Sequence, residues 1–272
     1  MSKRLLRDLV KEVLMSEIDV GDVEDVCYTA GSTHVMKTCR IGGNKYFLKF
    51  SEEDLFEEGF HPSLQILIEY LAYRIYGLFS GINIPTPELV YDKKNDRVGL
   101  ATTPASGKQA LKVGMSPKSL GKMMSQGVYV DIFLANWDAV GTGSGNVFVD
   151  KDKLTRIDPG GSLTFRAQGG RKGSKFGPRA GDLDVMLKGD KGAGLYFRHS
   201  DLKTAAKEFL AVTWDSILTV IDDVESDISK ELKIRGMKNL STQWRKDVKD
   251  IKNILEKRHE VVSDHAKHVL DQ

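Results

Sequence analysis

Residues 130–163 read VDIFLANWDAVGTGSGNVFVDKDKLTRIDPGGSL. An apolar run at 130–135 leads to Asp138. Asn146 then opens a short apolar stretch at 147–149. Asp158 closes the next one, at 154–157, and is followed at once by Pro159, Gly160 and Gly161. The two stretches read as short strands, with 150–153 as the turn between them. An antiparallel pairing through that turn places Asn146 beside Asp158. Carboxylate and amide oxygens are hard donors, and magnesium is usually held by one or two carboxylates together with substrate phosphates. Taken alone, the window also reads as ordinary turns, since Asp, Asn, Gly and Pro are what turns are made of.

The N-terminal half tips that balance. Residues 25–50 read as a three-stranded meander, and Lys49 lies on its third strand. Lys49 alternates with Lys45 and Phe47, so the three share a face. A helix starts at His61, Pro62 and Ser63, and its apolar stripe runs through Leu64, Leu67, Ile68, Leu71, Ala72, Ile75 and Tyr76. Glu69 is the only acid in the first four turns of that helix and is flanked by Ile66, Leu67, Ile68, Tyr70 and Leu71. A buried acid is costly unless paired, and Lys49 is its natural partner. A lysine on the third strand, a glutamate on the next helix, then Asp, Asn and Asp-x-Gly is the order of parts in phosphoryl-transfer kinases. The local alternatives are a solvated strand lysine and a glutamate on the polar face of an amphipathic helix.

Weaker signals lie around these. The small-residue corner with Gly31, Ser32 and Thr33 suits a backbone phosphate cradle, although a plain hairpin turn fits it equally. Strands are expected at 87–91 and 98–102, with Thr102 opening a connector that would meet an adenine ring. The Pro-, Gly-, Ser- and Lys-rich stretch 103–119 marks a boundary between residues 1–103 and 104–272. Helices are expected at 3–15, 120–135, 201–222 and 241–270, the last capped by Ser241 and Thr242. The glycine-rich, basic stretch 166–194 reads as a long mobile loop. Trp137, Trp214 and Trp244 read as packing residues.

Composition sets limits without naming a chemistry. The 272 residues are enough for two lobes around a cleft. A net charge of +2 gives no bulk drive toward nucleic acid. No apolar run is long enough for a membrane span, and the N-terminus turns charged too soon for a signal peptide. Cys27 and Cys39 read as reduced thiols, so a cytoplasmic setting is expected.

The window from Asn136 to Leu163, with the following Thr164, Phe165, Arg166, Lys172, Gly173, Phe176 and Gly177, resembles the catalytic segment of the actin-fragmin kinase domain and related bacterial and phage kinases. More distantly it is similar to HipA-like and phosphoinositide 3-kinase-like kinases. The resemblance is clear over about residues 129–190 and implies an α+β, bilobal kinase fold with a small β-rich N-lobe and a larger helical C-lobe. It implies an ATP- and Mg²⁺-dependent kinase acting on a Ser or Thr hydroxyl of a protein, the chain itself included. Asp138 would be the catalytic aspartate, and Asn146 and Asp158 the metal ligands. Lys49 would bind the α/β-phosphates, anchored by Glu69. If the enzyme modifies itself, Ser32, Ser162 and Ser174 are candidate sites, although serines in Gly-rich loops also serve flexibility alone. Neither a membrane nor a nucleic-acid partner is expected. A nucleotide-binding scaffold without transfer and a small-molecule phosphotransferase are the alternatives. The chain departs from HipA-like and lipid-kinase-like patterns in having no His after Asp138 and in carrying Thr142, Gly143, Ser144 and Gly145 between Asp138 and Asn146. It departs from ordinary protein kinases in lacking His-Arg-Asp, a multi-glycine phosphate loop and Ala-Pro-Glu.

Overall fold

Residues Ser63–Tyr76 form helix α1, at the centre of the molecule. The stripe predicted from the sequence is buried, but so are Gln65, Glu69 and Tyr73 on its other sides. A helix buried all round must be walled by several elements. One wall is a sheet containing β4 (Asn44–Phe50), β5 (Pro87–Asp92) and β6 (Arg97–Thr102). Another is the tight turn Pro159–Gly161, and a third is built by the long C-terminal helices. The chain is seen in a computed structural model that describes residues 15–18, 25–26, 35–41, 44–51, 60–167 and 169–272. Most of the expected helix at 3–15, residue Cys27 and the corner with Gly31, Ser32 and Thr33 lie outside the described residues.

The sheet has six strands in the order β1-β5-β6-β4-β3-β2, with β1 at Ser16–Ile18, β2 at Asp25–Val26 and β3 at Val35–Ile41. The expected meander is its β2-β3-β4 edge, paired antiparallel throughout. Lys49 sits opposite Met36 on one side and Leu100 on the other, so its backbone is pinned by both neighbours. Strand β1 adds to β5 in parallel. A second sheet has three strands: β7 (Lys108–Gln109), β8 (Val147–Asp150) and β9 (Lys153–Arg156). Its β8–β9 hairpin is the one expected from the opening window.

The remainder is helical, giving the expected α+β division into a small β-rich part and a larger helical one. Residues 120–135 form two short helices, α2 (Pro117–Met123) and α3 (Val128–Phe133), instead of one. Gly127 breaks the run with φ of 91°, a backbone state that suits glycine. Helices α4 (Leu183–Lys188) and α5 (Gly194–Phe197) follow in the glycine-rich stretch. The expected helix at 201–222 is also two, α6 (Leu202–Leu210) and α7 (Trp214–Ile234). Asp201 and Thr213 cap their N-termini through side-chain oxygens. The final helix α8 spans Lys238–Asp271, so Ser241 and Thr242 lie inside it. Thr242 bonds back to the Lys238 carbonyl at 3.1 Å, which satisfies its hydroxyl within the helix. Trp244 is fully buried on this helix, as expected of a packing residue. Among the described residues, no helix is long and apolar enough to cross a membrane.

The stretch 166–194 is not the solvated loop its charges suggest, because two of those charges point inward. Arg171 pairs with Asp247 at 2.7 Å and lies over the rings of Phe60 and Phe165. Lys172 is 3% exposed. Arg258 from α8 secures the same stretch. It is fully buried and donates to the carbonyls of Phe133, Ile132 and Gly177 and to Asp182. Removing a buried charge from such a set strands its partners, at about 3–5 kcal/mol. Arg258→Met is expected to lower unfolding free energy by about that amount in urea denaturation. Arg258→Lys recovers only part, since an ammonium cannot reproduce the planar fork.

Candidate active site

The site is assembled from β4, α1 and the β8–β9 hairpin. Lys49 Nζ lies 2.9 Å from Glu69 Oε2 and 2.7 Å from Asp158 Oδ1. The side chains of Lys49 and Glu69 are 8% and 1% exposed, whereas that of Asp158 is 44% exposed. The pairing anticipated for Glu69 is therefore present, and the embedded acid is compensated. Burial acts against the Lys49 ammonium, but Asp158 and Glu69 outweigh it and raise its pKa. Burial pushes Glu69 up to about 7, with Lys49 opposing and Asp158 reinforcing that rise.

Asp158 adopts φ of 53°, a left-handed conformation that Asp tolerates better than most residues. This turn lets its backbone N–H donate to the Tyr73 hydroxyl at 3.2 Å. Tyr73 stands one helical turn beyond Glu69, on the same face of α1. Spacing from Glu69 could have singled it out. Gly160 follows closely, and a Cβ there would lie 2.8 Å from Glu69 Oε2, 3.0 Å from Lys49 Nζ and 3.1 Å from Asp158 Oδ1. No side chain fits beside this triad without displacing it. Gly160→Ala is expected to cut activity by about tenfold or more while costing little stability, since a small shift of the ammonium misplaces its ligand. Nucleotide affinity and turnover check this together.

Asp138 and Asn146 face each other across the inserted residues. The Asn146 amide nitrogen donates to the Asp138 carbonyl at 2.9 Å and to its carboxylate Oδ2 at 3.2 Å. The insertion folds as a closed turn: Ser144 N–H reaches the Gly141 carbonyl at 3.2 Å, and Asn146 N–H returns to Val140 at 3.0 Å. Gly141 has φ of 74°, and a Cβ there would strike the Asn146 amide carbon at 2.6 Å. The extra residues thus bring Asn146 back to Asp138 instead of separating the two. Burial, reinforced by the Asp158 charge, raises the Asp138 pKa. The hairpin register places Asn146 next to the chain leading into Asp158, with Ile157 N–H donating to the Asn146 carbonyl at 2.9 Å.

A cavity of about 210 Å³ opens onto the triad. Phe47, Leu100, Phe148 and Ile157 supply apolar walls, Thr102 lies on its rim strand, and Lys49, Glu69 and Asp158 are polar. Lys49, Glu69, Thr102 and Asp158 are thus brought to one cavity, with Asp138 and Asn146 on an adjoining loop. Gly31, Ser32 and Thr33 are outside the described residues.

The donors suit magnesium. Asp158 is a half-exposed carboxylate on the cavity, and Asn146, its amide nitrogen committed to Asp138, has a carbonyl oxygen as its remaining donor. Among the described residues, no cluster of three or more His, Cys, Asp or Glu could hold a metal by itself. Few protein ligands and several phosphate oxygens is magnesium's usual arrangement.

In the sequence Lys172 stands out only as part of the segment that resembles the actin-fragmin kinase, with no role attached to it. Its ammonium donates to the carbonyls of Ala135 at 2.6 Å, Gly161 at 2.7 Å and Leu163 at 2.9 Å. One cation therefore ties the segment before Asp138 to the segment after Asp158. Burial drives its pKa well below the usual lysine value. A second buried network braces the same loop: Asp131 accepts from Tyr76 at 2.6 Å and from Arg156 at 3.0 Å, and Asn136 donates to Tyr76 at 3.0 Å. Ser162 is 1% exposed, which removes it as an accessible modification site in this fold.

No family model matches the chain, and no curated protein matches it. Among solved structures it is similar to the Helicobacter pylori proinflammatory kinase CtkA. Identity is 12%, the match covers 94% of this chain and 99% of that one, and the TM-score is 0.55. The fold is kinase-like. A second structure, WaaP in complex with acyl carrier protein, is 13% identical over 92% of this chain and 90% of that one, with a TM-score of 0.38. The triad's cavity is lined by residues of β4, α1 and β6 together with Phe148 of β8, Ile157 and Asp158.

Proposed function

We propose that the chain is an ATP- and Mg²⁺-dependent kinase that transfers the γ-phosphate to a Ser or Thr hydroxyl of a protein, itself included. The observation that carries this is Lys49, buried between Glu69 and Asp158 at the edge of an apolar cavity. The cavity of about 210 Å³ is smaller than typical whole-ligand pockets of about 300–1,000 Å³. It suits a base-sized ring, with the phosphates extending outward past Lys49.

Lys49 holds the phosphates by charge, and Glu69 fixes where that charge sits. Asn146 and Asp158 would hold the magnesium, which when bound neutralises charge on the phosphates. Asp138 accepts a hydrogen bond from the acceptor hydroxyl and orients it in line with the γ-phosphorus. The hydroxyl oxygen bonds to that phosphorus, the bond to the bridging oxygen breaks, and ADP leaves. The hydroxyl proton passes to the Asp138 carboxylate, whose raised pKa favours acceptance. A protein acceptor is supported by the resemblance of residues 129–190 to the actin-fragmin kinase segment.

The test is transfer of labelled phosphate from ATP with Mg²⁺, to the purified chain and to lysate proteins. Label in protein, lost with Asp158→Asn, is the expected result. Nucleotide binding without transfer would indicate a scaffold. Label confined to small molecules would indicate a small-molecule phosphotransferase.

A further inference from the structure

A second hollow lies outside the triad's cavity. It is a groove of about 710 Å³ formed by residues 174–194 together with Trp137. Trp137 is the chain neighbour of Asp138, so one wall of the groove is continuous with the loop carrying the proposed base. Its indole N–H donates to Asp182 at 2.7 Å, and Lys172 lies 4.9 Å from its ring centroid. The ring is thus held in place as a wall and is not merely a packing residue.

The groove has an apolar floor and a cationic rim. Val185, one of its lining residues, is 66% exposed. Lys175, Arg179 and Lys191 are exposed on the rim, and no acid pairs with any of them among the described residues. The one lining carboxylate, Asp182, is committed to Arg258 and Trp137. The rim therefore carries three cations without an ion-pair partner among the described residues, with the exposed Asp190 beside Lys191 as the nearest acid in the chain.

We propose that this groove docks an acidic segment of a polypeptide substrate, an apolar side chain against Val185 and Trp137 and carboxylates against Lys175, Arg179 and Lys191. It rests on the kinase reading above and names the substrate class for that site. Such a segment would enter from the groove and reach Asp138 past Trp137. Carboxylate recognition by Arg and Lys supplies both attraction and orientation.

The test uses two short labelled peptides, each with one serine and one leucine. One is flanked by Asp and Glu, the other by Lys. Binding to the full chain is read by fluorescence anisotropy without nucleotide. The acidic peptide is expected to bind about tenfold or more tighter, with affinity falling as salt rises. The variant Lys175→Glu/Arg179→Glu/Lys191→Glu, altered only at exposed positions, is expected to lose that preference. Equal binding of the two peptides, an unchanged preference in the variant, or displacement by oligothymidylate as effective as by unlabelled acidic peptide would overturn the proposal. A parallel transfer assay separates the two levels. Groove-dependent binding without phosphate transfer supports the groove and defeats the kinase reading. Transfer to both peptides alike, by native chain and variant alike, does the reverse.

Discussion

Lys49→Met is expected to destabilise the protein by about 3–5 kcal/mol as well as abolish activity, because it leaves the Glu69 carboxylate buried without its counter-charge. Asp158, at 44% exposure, contributes little to that cost, since solvent screens it. The effect depends on pH in a definite direction. In the intact protein, burial pushes Glu69 up to about 7 from its usual 4.5. Between those values the native state holds more protons than the unfolded chain, so this group's contribution to stability is present below 4.5 and lost as pH rises through 7. Removing Lys49 takes away the cation that opposes this rise. The destabilisation should therefore be larger at pH 8 than at pH 6, where Glu69 can take up a proton. Urea denaturation at both pH values measures it. The double variant Lys49→Met/Glu69→Leu should recover most of the stability and none of the activity. Full stability in Lys49→Met alone would mean that the triad is not held as described.

The second large effect is on chemistry without the fold. Asp138→Ala is expected to cut transfer by about 10²–10⁴-fold, the usual contribution of a positioned base. Asp158→Asn should cut it by about 10³-fold or more, since a carboxylate facing metal and phosphates is lost. Both residues are partly exposed, so circular dichroism and melting should stay close to native. Asn is the better probe at 158, because it tolerates the left-handed backbone that Ala would strain. Native rates in either variant, measured with labelled ATP and protein acceptor, would remove that residue from the proposed site.

Much of this was visible in the chain itself. The β8–β9 hairpin announced itself through two apolar runs and a polar turn, and antiparallel pairing then fixed Asn146 near Asp158. Glu69 was conspicuous because an acid among Ile, Leu and Tyr demands a partner. Other parts were not visible, for physical reasons. The sequence cannot distinguish a charge that faces water from one that faces carbonyl oxygens. Lys172 and Arg171 looked like loop solvation and are internal fastenings. The four inserted residues looked like a separation between Asp138 and Asn146. The left-handed turn at Gly141, just before them, instead closes the gap.

The one-dimensional pattern determined which residue types were available and which had to be buried: the apolar period of α1, the acid within it, the lysine on the third strand and the polar punctuation of the window at 130–163. Tertiary structure decided who meets whom. Lys49, Glu69 and Asp158 are separated by up to 109 positions and come within 3 Å because β4, α1 and the turn after β9 are packed around one buried helix. Local propensity fixes dihedral angles over a few residues. Only the packing of distant elements sets distances between side chains, and the proposed chemistry depends on those distances.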